Sequence, residues 1–274
     1  MINNTEELKS IAKQVRKDIV TMLTESHSGH PGGSLSAVEI LVTLYFHEMN
    51  VNPENPKDLN RDRFVLSKGH AAPVLYSTLA RKGFFNVEEL NTLRKIGSIL
   101  QGHPNMNEVP GVDMSTGSLG QGISAAVGMA LAGKIDKKDY KVYALLGDGE
   151  LEEGQVWEAS MAAAHYGLDN LVAFVDHNGL QIDGECKNVM SPEPVSDKFR
   201  AFRWNVIDVD GHDFQQLIDA LQEAKKVKNK PTVIVCKTIK GKGVSFMENE
   251  AGWHGTAPTL EQCEQALTEI GGEE

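Results

Sequence analysis

Short, unbroken apolar runs alternating with segments of helical period constrain this chain more than any other feature. The runs Phe64-Val65-Leu66, Val142-Tyr143-Ala144-Leu145-Leu146, Leu171-Val172-Ala173-Phe174-Val175 and Val233-Ile234-Val235 have strand length, and so does Val206 to Val209, which Asp208 interrupts. Between them the apolar positions recur at helical spacing. Thr5 with Glu6 and Glu7 opens a helix that carries Leu8, Ile11, Val15, Ile19 and Leu23 on one stripe. Further helices are predicted over about 37–47, 71–81, 87–96, 121–133, 155–165 and 213–227, with a short one near 260–267. Strands alternating with helices imply an α/β fold, a parallel sheet with helices on both faces. The whole of 1–274 reads as a single domain, because no repeat or low-complexity tract divides it. The stretch 96–117 holds four glycines, two prolines and little periodicity, so a long functional loop is expected over about 97–117. Beyond Lys240 a C-terminal extension, about 241–274, has similar character up to its helix.

Two of the apolar runs end in polar chemistry. Val142–Leu146 runs straight into Gly147-Asp148-Gly149, and Leu171–Val175 into Asp176-His177-Asn178-Gly179. In a parallel sheet both segments leave the same edge, with the glycines permitting a tight turn and close approach to a ligand. A carboxylate and an amide oxygen placed there suit Mg²⁺, which takes few protein oxygens and fills the rest of its shell with phosphate and water. An isolated Gly-Asp-Gly reads more readily as a plain turn, and Asn178 as a helix cap. The pairing of the two strand ends favours the metal-diphosphate reading.

A glycine-rich segment, Ser115-Thr116-Gly117-Ser118-Leu119-Gly120-Gln121-Gly122, leads into the helix with Ala125, Ala126, Met129 and Ala130. Free N–H groups and the positive end of a helix dipole make such a junction a seat for an anion. The competing reading is that small residues there serve close packing on the sheet. A nicotinamide-dinucleotide fingerprint is not present, since no strand precedes the glycines. Four of the nine histidines, His30, His70, His103 and His254, sit beside glycine or proline in polar loops. Such positions suit hydrogen bonding to phosphates or sugar hydroxyls and proton movement near neutral pH, although each also fits a structural turn. Their spacing forms no zinc pair. His27, His47, His165, His177 and His212 read as structural or surface residues.

A net charge of −11 argues against nucleic acid or an anionic membrane as a partner, since the average surface field repels both. The three cysteines, Cys186, Cys236 and Cys263, leave an odd thiol and form no metal-type spacing. No run approaches the roughly 18 apolar residues that span a bilayer, and the polar, acidic start lacks the charge pattern of a signal peptide. The expectation is a cytoplasmic protein.

From about Val15 to Pro258 the chain resembles the thiamine-diphosphate-binding N-terminal part of the transketolases, in the form where two polypeptides make the enzyme. The resemblance runs through Ser28-Gly29-His30-Pro31-Gly32, Asp62 to His70, Ser115 to Gly122, Gly147-Asp148-Gly149 and Asp176 to Gly184. It implies that Asp148, the Asn178 side chain and the Leu180 main-chain carbonyl bind a divalent metal, Mg²⁺, Ca²⁺ or Mn²⁺. It places His70, Gly117, Ser118, Leu119, Gly149 and Asn178 around thiamine diphosphate, with His254 as a further cofactor residue in the Trp253-His254-Gly255 loop. His30 and His103 become the catalytic residues facing the sugar, and Glu153 and Glu158 match acidic positions near the contact between active sites. The activity implied is transfer of a two-carbon ketol unit from a ketose phosphate to an aldose phosphate, as in the pentose phosphate pathway. The family's pyrimidine-binding and C-terminal domains, with the glutamate that activates the cofactor, would come from a partner subunit, most economically as an α₂β₂ heterotetramer. Two other thiamine enzymes share part of the pattern: 1-deoxyxylulose-phosphate synthase has the early Ser-Gly-His-Pro-Gly-Gly, and the α-subunit of 2-oxoacid dehydrogenases splits at this point. A non-catalytic cofactor-binding subunit is the alternative from outside enzymology.

Overall fold

The computed structural model describes residues 2–272. Chain order begins with α1 (Thr5–Ser26), α2 (Pro31–Leu35) and α3 (Val38–Val42), then β1 (Arg63–Leu66), α4 (Ala72–Lys82) and α5 (Gln121–Ile135). It continues through β2 (Val142–Gly147), α6 (Gly154–His165), β3 (Leu171–His177), the small hairpin β4 (Leu180–Gln181) and β5 (Gly184–Glu185), α7 (Cys186–Val189) and α8 (Val195–Ala201). The remaining elements are β6 (Asn205–Asp210), α9 (Phe214–Lys226), β7 (Thr232–Lys237) and α10 (Leu260–Gly271). Five strands form one parallel sheet in the order β1-β2-β3-β7-β6.

The apolar runs are continuous because both faces of the sheet are covered. Phe64, Leu66, Tyr143, Leu145, Phe174 and Ile234 point into a core shared with α1, α3, α4, α9 and α10. Their neighbours Val65, Val142, Ala144, Leu146, Ala173 and Val235 point the other way, into a core with α5, α6 and α8. This is the period-two alternation of a strand with apolar residues at both phases. Each large side chain buried this way contributes about 1.5–3 kcal/mol. β1 lies at the edge, and Asp113 from the long loop before α5 accepts its Phe64 N–H at 2.8 Å, so a side chain completes the edge.

Several helix boundaries differ from the sequence expectation. Asn4, not Thr5, caps α1, its side chain accepting Glu6 N–H at 3.0 Å. The helix expected over 37–47 is broken into α3 and a π-helical segment, Thr43–Glu48, and α2 precedes it. Over 87–96 only 3₁₀ turns form, Val87–Thr92. Arg94 there takes a positive φ of 60°, which a helix excludes. α7, α8 and the β4–β5 hairpin follow β3 in a stretch whose sequence shows no long periodicity. Among the described residues no helix is long and apolar enough to cross a membrane, and the three cysteines are unpaired.

Candidate cofactor and active site

The carboxyl ends of β1, β2, β3 and β7 open onto one cleft of about 220 Å³, lined by residues from all four strand exits and by His30 and His254. Parallel sheets gather ligands at this edge because the loops leaving adjacent strands converge there. Asp148 Oδ1 accepts the N–H of Gly149 at 2.8 Å, and Oδ2 accepts that of Gly179 at 2.5 Å. The second bond ties the exit of β2 to the exit of β3, in the register that pairs Gly147 with Asp176. Asn178 Oδ1 accepts Leu180 N–H at 3.1 Å, and Lys240 Nζ donates to the Leu180 carbonyl at 3.1 Å.

The structure thus brings Asp148, Asn178 and Leu180 to one wall of the cleft. One carboxylate, one amide oxygen and one main-chain carbonyl are hard donors that fit Mg²⁺ or Ca²⁺ with phosphate and water completing the shell. Each of these oxygens already accepts a hydrogen bond, and each retains a further lone pair. Burial, then the nearby Asp176 charge, raises the Asp148 carboxyl above its ordinary range. A cation at this wall would relieve that strain, and the Lys240 ammonium already lies against it. Among the described residues no group of three or more His, Cys, Asp or Glu could hold a metal.

Beneath the cleft lies a buried ion pair. Asp176 is wholly inaccessible and accepts from Lys68 Nζ, Ser36 Oγ, Thr238 Oγ1 and, at 3.2 Å, Asn178 Nδ2. Burial alone would raise the Asp176 carboxyl; the Lys68 charge and these donors outweigh it and hold it low. Asp176 therefore orients Asn178 from behind and pairs with Lys68, itself 2% exposed, at the cleft floor. The loops fit closely here. A Cβ on Gly69 would lie 2.8 Å from Gly117 N, and one on Gly122 would lie 2.6 Å from Ser67 Cα, so neither position accepts a larger residue.

The expected anion seat at the start of α5 is filled from within. Glu150 Oε1 accepts Gly120 N–H at 2.9 Å together with the Ser67 hydroxyl, and Oε2 accepts Gly147 N–H at 3.0 Å. Ser67 Oγ in turn accepts Ile123 N–H at 3.2 Å. The positive end of α5 is thus neutralised by the chain's own carboxylate, 2% exposed, which a sequence reading centred on glycines overlooks.

His30, His70 and His254 form a triangle with ring centroids 5.1–5.5 Å apart. Burial lowers all three: His30 to about 4, aided by Arg94 and His103; His254 to about 3, aided by Lys240; and His70 well below its usual range, aided by Lys68. They are neutral imidazoles at pH 7. His30 Nδ1 is buried with no hydrogen-bond partner, an orphan that marks where a ligand atom or water belongs. Gly117, Leu119 and Gly149 line the same cleft. His103 stands at its rim, exposed, with its ring over Gly117. Ser118 falls outside, in an adjoining groove with Ser115, Gln121 and Ser124. Glu153 and Glu158 are exposed at the start and on the surface of α6. His212 hydrogen-bonds Glu39 at 3.0 Å and accepts Ile239 N–H at 2.9 Å, pinning the exit of β7.

Lys68, Glu150, Asp176 and Lys240 went unassigned from sequence. The two lysines carry no signal of burial, since lysine is rarely buried unless paired. Only their places inside Ser67-Lys68-Gly69-His70 and beside Gly241 hint at a role.

The family described as transketolase, thiamine diphosphate binding domain, matches residues 8–273. An apulose-4-phosphate transketolase subunit of Phocaeicola vulgatus is 47% identical over 97% of this chain and 94% of its own length. The 6-deoxy-6-sulfo-D-fructose transketolase subunit SqwG of a Clostridium species is 46% identical over 96% of each. Human transketolase is 44% identical over 97% of this chain, which spans 42% of the human protein. The crystal structure of transketolase from Campylobacter jejuni superposes with a TM-score of 0.92 at 36% identity, over 98% of this chain and 43% of that one.

Proposed function

The chain belongs to the transketolase family, within its thiamine diphosphate-binding domain, and from that premise we propose that it is the N-terminal subunit of a two-chain transketolase. It would transfer a ketol unit from a ketose phosphate to an aldose phosphate together with a C-terminal subunit bearing the pyrimidine-binding and C-terminal domains. The observation that carries the reading is the convergence of Asp148, Asn178, the Leu180 carbonyl and three neutral histidines on one cleft at the sheet's carboxyl edge. The relatives' names favour ketol transfer over the 1-deoxyxylulose-phosphate synthase and non-catalytic readings.

In this proposal Asp148, Asn178 and Leu180 hold Mg²⁺, Ca²⁺ or Mn²⁺, and His70, His254, Gly117, Leu119 and Gly149 surround the diphosphate. Ser118 stays at the margin, since it faces the adjoining groove. Bound thiamine diphosphate supplies an electron sink for breaking a carbon–carbon bond beside a carbonyl. His30 and His103 face the sugar. His30 is neutral and His103 is lowered by burial and Arg94, so His30 offers polarity to a substrate oxygen without a fixed charge. A donor aimed at charge that develops during bond cleavage lowers the barrier by about 2.7–4 kcal/mol. Leu119 and Ile182 give the cleft an apolar side, and Ile182 is 67% exposed at its mouth. Coverage by a second polypeptide would bury it and exclude water, which supports a heteromeric assembly, with α₂β₂ the simplest symmetric form. The unpaired cysteines suit the cytoplasm.

Mixing the chain with its companion subunit and assaying ketol transfer with thiamine diphosphate and Mg²⁺ tests the proposal. Activity is expected in the mixture and not in either chain alone. A mixture that assembles and retains cofactor yet transfers no ketol unit would overturn it.

A further inference from the structure

A second cavity, of about 330 Å³, lies between α1, α10 and the loop that leaves β7, and it shares no lining residue with the cofactor cleft. α1 presents Lys9, Ala12, Lys13 and Arg16 to it, at the three- and four-residue spacing that puts side chains on one helix face. Lys242 joins them from the loop after β7. These four cations face only two lining carboxylates, Glu39 and Glu269, in a chain whose net charge is −11. Both carboxylates are already engaged. Glu39 is buried and takes the two guanidinium ends of Arg16 at 2.7 and 2.9 Å and His212 Nδ1 at 3.0 Å. Glu269 accepts the Ser245 N–H at 2.6 Å, the Ser245 hydroxyl at 2.9 Å and Gln265 Nε2 at 2.8 Å. The lysines are not engaged in this way. Lys13 Nζ donates to the Gly271 carbonyl at 3.1 Å and meets no carboxylate among the described residues. Lys9 pairs with Glu6 at 2.7 Å, with Asp213 also near, and Lys242 with Glu248 at 3.3 Å. Pairs that exposed are held loosely in water and exchange readily for a stronger anion. An ammonium has three hydrogens, so each of the three lysines keeps donors to give.

We infer that this cavity is a second ligand site, for a phosphate monoester of a small metabolite. A phosphate ester carries nearly two negative charges at pH 7 and three acceptor oxygens, one for each of Lys9, Lys13 and Lys242. A carboxylate carries one charge and two oxygens, and leaves an ammonium over. Ala12, Phe214 and Ile270 are buried and give the cavity an apolar wall, which suits the carbon skeleton of the ester. The volume stands at the lower end of the roughly 300–1,000 Å³ of small-molecule pockets, so the body is one sugar ring or smaller. The buried Arg16–Glu39–His212 cluster is the rigid back of the site, and Arg16 Nε fixes the Lys242 carbonyl at 3.0 Å. No residue of the cofactor cleft enters this inference, so it stands apart from the function proposed above.

The test is titration of the full chain, without thiamine diphosphate or Mg²⁺, with glucose 6-phosphate, glucose and inorganic phosphate, followed by calorimetry and by amide NMR. Glucose 6-phosphate is expected to bind and to shift the amides of Gly243 and Ile270, which line the cavity, while those of Gly117 and Gly149 in the cleft stay in place. Glucose is expected not to bind, and inorganic phosphate to bind more weakly than the ester. Lys13→Met should weaken the ester about tenfold or more, Lys242→Met likewise, and Lys13→Arg, which keeps the charge, should retain most of the affinity. Added salt should weaken it as well, since the lysines stand partly in solvent. No binding of the ester, shifts confined to the cleft, equal affinity for glucose, or wild-type affinity in both methionine variants would overturn the inference. Inorganic phosphate binding as tightly as the ester would overturn the assignment to an ester. Should one methionine variant fail to fold, the other and the wild-type shift map decide.

Discussion

Replacing Asp176 by asparagine tests the buried centre on which the cleft is built. The carboxylate accepts from Lys68, Ser36, Thr238 and Asn178 with no access to solvent. Asparagine has one acceptor oxygen, and its amide hydrogens would confront donors that now point at an anion. Ser36 can fall back on the Gly33 carbonyl, 3.3 Å away, but Lys68 is left as a buried charge without a counterion. Removing one partner of such a pair costs about 3–5 kcal/mol, against a total stability of about 5–15 kcal/mol for a typical domain. Asp176→Asn should therefore lose a large share of the chain's stability, read as a lower urea midpoint at unchanged slope. Adding Lys68→Met removes the stranded charge, so the double variant should be more stable than Asp176→Asn alone. The pH dependence has a definite sign. Asp176 is held below its ordinary value, so its contribution is complete above about pH 4 and is lost as pH falls further, and the gap to the variant should close in acid. An Asp176→Asn chain within about 0.5 kcal/mol of wild type, or a double variant no better than the sum of its parts, would refute the reasoning.

Four other outcomes follow from the same geometry. Glu150→Ala strands the Gly120 and Gly147 amides at about 1–3 kcal/mol each, so hydrogen exchange should quicken at those two amides; unchanged protection would contradict the role given to Glu150. Gly122→Ala drives a methyl to 2.6 Å from Ser67 Cα and should cost about 1–3 kcal/mol in a denaturation experiment, since backbone and not a flexible side chain must move. His30 and His254 have native values lowered to about 4 and about 3, so the stability they confer is full above pH 6.5 and is lost as pH falls from there. Melting temperature should thus drop between pH 7 and pH 5, and less so in His254→Gln; a flat profile counts against buried neutral histidines. In the reconstituted enzyme His30→Ala or His103→Ala should lower turnover far more than cofactor affinity, and a variant unchanged in both would remove that residue from the mechanism.

How far the chain could be read before its structure depended on what kind of interaction held each element. The runs at Val142 and Leu171 were legible because burial on both faces of a strand leaves no room for polar residues, and the covering cores draw on alternate positions of the same runs. Helices with strong one-sided stripes, such as α9 with Phe214, Leu217, Ile218 and Leu221, were legible for the same reason. The segment 37–47 was not, because it is buried from Ala37 to Phe46, the polar Glu39 and Thr43 included, and nothing in its sequence marks where α-helical winding gives way to π. The 87–96 segment failed because Arg94 adopts a left-handed conformation that propensity does not disclose. In the cleft, motif residues at strand exits were visible, whereas Glu150, Asp176 and the two lysines act through partners far away in sequence. Glu150 reaches Ser67 across 83 positions, and Lys68 reaches Asp176 across 108, distances over which no local pattern operates.

In the proposed function Asp148, with Asn178 and the Leu180 carbonyl, grips a metal-bound diphosphate. Titrating the chain with thiamine diphosphate in a calorimeter, with and without Mg²⁺, addresses it most directly. Binding is expected for the wild type only when the metal is present, and for Asp148→Ala under neither condition, while the variant's far-ultraviolet circular dichroism stays that of the wild type. Equal, metal-dependent affinity in a folded Asp148→Ala chain would contradict the account.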